Sequence, residues 1–215
     1  MVKKLVLVVV LVFLFVCADV VVGGVVSVGV KAGDWVEYKV VTTGVPPQGH
    51  DVVWARMDIL SVVNGEIEIN ASTRAANGKY SSVIMSLNPQ LGQVDVWAII
   101  PSNLSAGDSF FDKNLGNIPI MGENQKTVGG AIRDTTFYNS SERFKCWDKS
   151  TGVFLEGTDI LGNYSLTATF ERTNMWSNQI MGLDPAVFLV FIFAVALSAT
   201  VFAVAIVARR KSLKK

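Results

Sequence analysis

The chain has 215 residues and a formal net charge of +1 at neutral pH, but its charges are unevenly distributed. Seven of the 19 basic residues lie near the two ends, whereas residues 19–184 carry all 18 acidic residues and the other 12 basic ones. This acidic middle excludes nucleic acid as an expected partner, because an excess of carboxylates cannot neutralise phosphates.

The first 18 residues have the composition of a secretory signal peptide. Lys3 and Lys4 precede an apolar run at 5–16, and small residues at 17–18 offer a cleavage site. Two alternatives stay open: an uncleaved anchor, because apolar character resumes at 20–30, and a lipidated Cys17. Residues 19–32 form an apolar, glycine-rich lead-in.

Residues 33–173 are predicted to form one antiparallel β domain. A strand at 34–43 alternates in character, and a run at 52–63 follows it. Asn64-Gly65 and Asn77-Gly78 are strong two-residue hairpin signals, so 52–87 is predicted to be a three-stranded meander.

The stretch at 88–130 is punctuated by glycine and proline and is predicted to consist of loops with one or two short elements. A short strand or helix start is expected at 94–100. Strands are expected again at 131–138, 143–147, 153–156 and 164–172. The fold class is therefore mainly β: an antiparallel curved sheet, sandwich or half-barrel of about eight to ten strands.

The C-terminal part is predicted to cross a membrane. After a polar neck at 174–184, residues 185–208 contain no charge, and at 1.5 Å per residue they reach roughly 34 Å, enough for a bilayer core. The basic segment 209–215 then forms a cytoplasmic tail, which places the β domain outside the cell and makes the lipid bilayer a partner.

Two segments carry a resemblance. The strand GDWVEYKV at 33–40 and the hairpin CWDKSTGVFLEG at 146–157 are similar to patterns in uncharacterised archaeal exported proteins. Those proteins have a signal, a β-rich external domain and a C-terminal span, and they carry no known activity. The hairpin is also similar to turns in the curved antiparallel sheets of lipoprotein carriers.

The hairpin motif has a structural explanation in its own residues. Asp148 can accept backbone N–H groups across the turn beside Thr151, and Gly152 can adopt a positive φ. We therefore expect these three residues to shape a turn.

No residue pattern predicts an enzyme. His50 is the only histidine and lies in a loop without a nucleophile motif, so no catalytic residue, metal site or cofactor is expected. Cys146 is expected to be buried or to pair with a second chain. Glycosylation sequons occur at Asn70, Asn103, Asn139 and Asn163.

The expected function is that of a non-enzymatic, single-pass cell-surface protein. In the favoured hypothesis its tethered β domain is a binding or envelope-organising module, with another membrane or surface protein as a partner. The alternative is a carrier or sensor of an apolar or lipid ligand, with a pocket formed by Trp35, Trp54, Trp97 and Phe170. A minor alternative is a glycan-directed hydrolase that uses two carboxylates. Oligomeric state does not follow from the sequence.

Overall fold

The structure is a computed structural model that describes residues 28–176, 186–195 and 197–198. Its dominant element is a nine-stranded sheet in which every neighbouring pair of strands is antiparallel. A separate two-stranded hairpin accompanies it. The expectation of a mainly β, antiparallel fold is confirmed.

The strands alternate with tight turns along most of the chain. They are β1 (Trp35–Gly44), β2 (Val52–Val63), β3 (Glu66–Ala75), β4 (Tyr80–Leu87), β5 (Ser109–Asp112), β6 (Gly116–Pro119), β7 (Gly122–Val128), β8 (Ala131–Asn139), β9 (Arg143–Asp148), β10 (Phe154–Leu161) and β11 (Tyr164–Thr173). One short 3-10 helix, Pro89–Leu91, follows β4.

The order of strands in the large sheet is β4-β3-β2-β1-β11-β10-β9-β8-β7. The first and last strands of the domain therefore pair in the middle of the sheet, with Tyr38 opposite Phe170 and Val40 opposite Ala168. The side chain of Asn174 joins the two chain ends, because its Oδ1 accepts from the Trp35 amide at 2.8 Å and its Nδ2 donates to the Gly33 carbonyl at 2.9 Å.

The hairpin signals correspond to turns in the structure. Asn64 and Gly65 both have positive φ, 52° and 82°, between β2 and β3. This is the backbone that a two-residue hairpin requires. Gly78 also has a positive φ, 84°, between β3 and β4. The predicted meander is thus present as β2, β3 and β4.

Residues 88–121, here called the cover segment, lie over one face of the sheet. The segment is attached to the hairpin of β9 and β10: the Phe154 amide donates to the Ala98 carbonyl at 2.9 Å, and the Ile100 amide donates to the Gly152 carbonyl at 3.0 Å. The Trp147 indole donates to the Val96 carbonyl at 3.0 Å. The core lies between this segment and apolar side chains of the sheet.

Two details of this region differ from the prediction. Residues 94–100 form turns and isolated bridges, rather than a regular strand or a helix start. Residues 122–128, expected within the loops, form β7 and pair with β8 along seven residues. β7 is mostly polar and exposed, as suits a strand at the sheet edge, so it lacks the alternation that marks a half-buried strand.

The terminal predictions fall mostly outside the described residues. At the N-terminus these are the signal peptide at 1–18 and residues 19–27 of the lead-in. At the C-terminus they are residues 177–184 of the neck, residue 185 at the start of the span, and the tail at 209–215. Of the predicted span at 185–208, residues 186–195 and 197–198 are described and are helical. Within the part of the chain that is described, no helix has both the length and the apolar character needed to cross a bilayer.

Candidate ligand cavity

A cavity of about 330 Å³ lies between the sheet and the cover segment. Residues of β1, β2, β3, β4, β10 and β11 line it, and Asp95, Trp97 and Ala98 come from the cover segment. Its apolar lining residues are Val40, Val52, Ala55, Met57, Ile69, Ala71, Met85, Trp97, Ala98, Phe154, Leu161, Leu166 and Ala168. Because these side chains dominate the wall, the cavity favours an apolar occupant.

Strand alternation explains how the sheet contributes to this wall. Ile69 and Ala71 lie two residues apart on β3 and therefore share a face. Ala71 is paired with Met57 on β2, whose side chain is on the same face. Three of the lining positions on the sheet are alanines: Ala55, Ala71 and Ala168. Their short side chains leave the space that larger core residues would fill.

Tyr38 also lines the cavity, but its hydroxyl is already bonded. It donates to the Phe154 carbonyl at 2.9 Å. The residue is 4% exposed, and burial raises the pKa of the phenol far above its usual value. Tyr38 is therefore a neutral wall residue whose donor is used within the protein.

Carboxylates form the polar edge of the cavity. Asp95 and Asp159 both line it, next to the indole of Trp97. The indole N–H donates to Asp159 Oδ2 at 3.1 Å, and the Trp97 amide donates to Asp95 Oδ1 at 2.9 Å. Trp97 thus bonds to both acids, to Asp159 through its ring and to Asp95 through its backbone.

A buried lysine lies behind this edge. The Lys145 ammonium is 2.9 Å from the centroid of the Trp97 ring, and its side chain is 1% exposed. Its Nζ is also 2.9 Å from Asp159 Oδ1, and Arg143 Nε lies 3.9 Å from the same oxygen. Lys145 and Asp159 therefore form a buried ion pair.

Burial governs the protonation of this lysine. Desolvation lowers the pKa of Lys145 to about 8, and the negative charge of Asp159 opposes part of that drop. Space for the side chain comes from Gly157, its partner on β10, because a Cβ there would lie 2.9 Å from Lys145 Cδ.

The four aromatic residues predicted to form a pocket do not come together. Trp97 lines the cavity, whereas Trp35, Trp54 and Phe170 are not among its lining residues. Trp35 packs beneath the Arg56 guanidinium, 4.4 Å from the ring centroid. The prediction grouped these four residues because they are all aromatic, but strand pairing determines which residues each of them contacts.

Trp54 and Phe170 have other neighbours. Trp54 contacts Tyr80 edge to face at 6.2 Å, and Phe170 stacks on Trp176 at 5.6 Å. Phe170 also lines a second, smaller cavity of about 210 Å³ beside the turn of β7 and β8. The Arg133 guanidinium lies over the Trp176 ring, 4.8 Å from the ring centroid.

The turn motif is held by side-chain bonds. Asp148 Oδ1 accepts from the Thr151 amide at 2.8 Å and from the Thr151 hydroxyl at 2.7 Å. Arg133 donates to Asp148 Oδ2 at 2.7 Å. Although burial alone raises the pKa of Asp148, the bonds from Arg133 and Thr151 hold it below its usual value. Gly152 has a φ of 72° and lies against the Ile100 carbonyl, where a Cβ would be 2.0 Å away.

The remaining predicted positions lie outside the cavity lining. Asn103, Asn139 and Asn163 are exposed, and Asn70 is half-buried on β3. His50 Nδ1 lies 2.9 Å from the Tyr164 hydroxyl in an exposed contact. Among the described residues, no group of three or more His, Cys, Asp or Glu side chains is arranged to hold a metal ion.

Lys145, Asp159 and Asp95 were not identified from the sequence. One signal was available: in Arg143–Asp148, Lys145 and Trp147 alternate with Phe144 and Cys146, so the lysine shares a face with a tryptophan. A charged residue at an inward position of a buried strand marks a special environment.

Comparisons with known proteins identify no relative from sequence. No protein-family model matches the chain, and no curated protein matches it. A solved structure of the siderocalin Ex-FABP, described as functioning through dual ligand specificities, aligns with 74% of this chain and 80% of its own. The identity is 9% and the TM-score 0.26, and so low a score establishes no shared fold.

Proposed function

We propose that this chain is a non-enzymatic binding protein whose β domain holds a small apolar molecule in the cavity beside Trp97. The observation that carries this proposal is the cavity itself. Its 330 Å³ volume lies at the lower end of the range for ligand sites, roughly 300–1,000 Å³, and apolar residues dominate its wall. Nothing in this function requires a reactive group.

The volume limits the size of the occupant. At ~30 Å³ for each water-sized group, 330 Å³ accommodates about eleven non-hydrogen atoms. A medium-length alkyl chain with one polar end, or a small ring system, has this size. A complete two-chain lipid does not fit, although part of one of its chains does.

The cellular setting of the proposal comes from the sequence. The apolar run at 185–208 and the basic residues that follow it support a protein tethered to the membrane with its acidic β domain outside. In that setting the domain samples apolar molecules at the cell surface as a carrier or a sensor.

The hydrolase alternative has less support. Asp95 and Asp159 do line one cavity, as two catalytic carboxylates would. However, Asp159 is paired with Lys145 and bonded to Trp97. The surrounding aliphatic wall also offers few partners for the hydroxyl groups of a sugar, which supports binding of an apolar ligand instead.

One observation favours a partner-binding role as a second candidate. Among the strands that the structure describes, β4 pairs only with β3, so its other side is an edge of the sheet. Tyr80, Val83 and Ile84 on this strand are 63%, 53% and 61% exposed. An apolar edge strand of eight residues suits addition of a strand from another protein. Pull-down from native membranes with the wild-type chain and an Ile84→Lys variant tests this role.

Quenching of Trp97 fluorescence tests ligand binding directly. Bromo-octanol has about ten non-hydrogen atoms and fits the volume, and its bromine quenches an indole on contact. We expect saturable quenching of the full-length protein in lipid nanodiscs, and loss of the saturable component in a Trp97→Phe variant.

Matched variants control for partition of the probe into lipid. Ala71→Phe places a phenyl ring in the cavity, and Ser82→Phe adds the same ring at an exposed position on β4. The ring of Ala71→Phe occupies roughly half of the volume, so we expect at least tenfold weaker binding there and unchanged binding in Ser82→Phe. Equal, non-saturable quenching in all proteins would refute the proposal.

A further inference from the structure

We propose that the cavity selects a ligand whose polar end donates hydrogen bonds and carries no negative charge, an alcohol or an amine rather than a carboxylate. This inference rests on the proposed function and specifies the chemical class of its ligand. It follows from which polar groups at the cavity are already bonded and which are not.

The donors around the cavity are largely committed to the protein. The Tyr38 hydroxyl donates to the Phe154 carbonyl, and the Trp97 indole N–H donates to Asp159. The guanidinium of Arg56, whose residue borders the cavity, is bonded to Asp58 and Glu37 at 2.6 and 2.7 Å. The hydroxyls of Ser72 and Thr73, which also line the cavity, can donate or accept and therefore do not discriminate.

An acceptor remains available at the polar edge. Asp95 lines the cavity and is half-buried, and its Oδ1 accepts from the Trp97 amide, whereas its Oδ2 has no hydrogen-bond partner among the described residues. Asp159 Oδ1 is not accessible to a ligand, because it is fully buried and lies 2.9 Å from Lys145 Nζ and 3.9 Å from Arg143 Nε. A half-buried carboxylate oxygen without a donor is costly, so a ligand that brings an O–H or N–H group to Asp95 is favoured.

The cation is screened from the ligand by an aromatic ring. Lys145 Nζ packs against the Trp97 ring, and the ring lines the cavity whereas Lys145 does not. An anionic ligand therefore meets Asp95 and Asp159 at the cavity surface before it meets the ammonium. Like charges in a poorly solvated site repel strongly, so a fatty-acid head group is disfavoured.

Three probes of equal chain length test this selection in the quenching assay: bromo-octanol, bromo-octylamine and bromo-octanoic acid. Each is titrated at pH 7.5 into the full-length protein in nanodiscs, and free concentrations are corrected with empty nanodiscs. We expect the alcohol and the amine to bind at least tenfold more tightly than the acid. An Asp95→Asn variant leaves the pair of Lys145 and Asp159 intact. It is expected to reduce the ratio of the acid's Kd to the alcohol's Kd at least threefold.

The outcomes separate the two proposals. If the acid binds as tightly as the alcohol and the amine, or if Asp95→Asn leaves the ratio unchanged, the ligand class is wrong although the cavity binds. If none of the three probes gives saturable quenching of Trp97, the proposed function itself fails.

Discussion

Replacement of Lys145 by methionine is expected to change how the stability of the domain depends on pH. Desolvation lowers the pKa of Lys145 from 10.5 to about 8 in the folded protein. The unfolded chain therefore binds more protons than the folded one between these two values. It follows that the free energy of unfolding rises with pH in this interval, because the cost of a buried ammonium disappears.

The magnitude follows from the two pKa values. Their difference corresponds to about 3 kcal/mol of unfolding free energy, because one pKa unit is worth about 1.4 kcal/mol. About 2 kcal/mol of this is gained between roughly pH 7 and 9.5, since the unfolded-state lysine is still mostly protonated at the upper limit. The side chain is 1% exposed, so solvent screening reduces this figure little.

Urea unfolding of the full-length protein in nanodiscs, followed by tryptophan fluorescence, provides the measurement. The quantity to compare is the difference between wild type and Lys145→Met at each pH. This difference removes the contributions of Tyr38 and Cys146, whose pKa values are raised by burial and which act in the opposite direction. Parallel stability curves for the two proteins would show that the ammonium is solvated and would refute the reasoning.

Two further predictions concern the hairpin of β9 and β10. Gly152→Ala is expected to cost about 3 kcal/mol, from an unfavourable positive φ and from loss of the bond between the Ile100 amide and the Gly152 carbonyl. Gly78 has a similar φ but open space around it, so Gly78→Ala should lower the free energy of unfolding by only about 1–2 kcal/mol. If Gly78→Ala and Gly152→Ala shift the urea midpoint equally, close packing at Gly152 does not contribute to stability. Cys146 is fully buried, and burial raises the pKa of its thiol. In a Cys17→Ala variant, which leaves Cys146 as the single cysteine, a thiol reagent should therefore modify it at least about a hundredfold faster in urea than in buffer. Equal rates would place the thiol at the surface.

The parts of the fold that follow from local chemistry were predictable. Asn64-Gly65 selects a two-residue hairpin wherever it occurs between alternating segments, so the meander of β2, β3 and β4 could be derived from the sequence. Asp148 and Gly152 likewise act within one turn. These features depend on residues a few positions apart.

The cavity depends on contacts between distant residues and could not be derived in this way. Trp97 and Asp159 are 62 positions apart, and their bond requires the cover segment to cross the sheet. The pair of Lys145 and Asp159 requires the register of β9 against β10. Grouping tryptophans by residue type found Trp97 but could not show that Trp35 packs under Arg56 instead.

The pairing of β1 with β11 has a consequence for the order of folding. Val36 lies opposite Thr173, so the centre of the sheet can form only after the last strand has been synthesised. Closing so large a loop is entropically costly, and folds dominated by such distant pairings form slowly. While the chain emerges, β1 and its neighbours expose an unsatisfied edge that is open to association with other chains. A stop after residue 163 would therefore leave two half-sheets with no strand to join them, and neither would enclose the cavity.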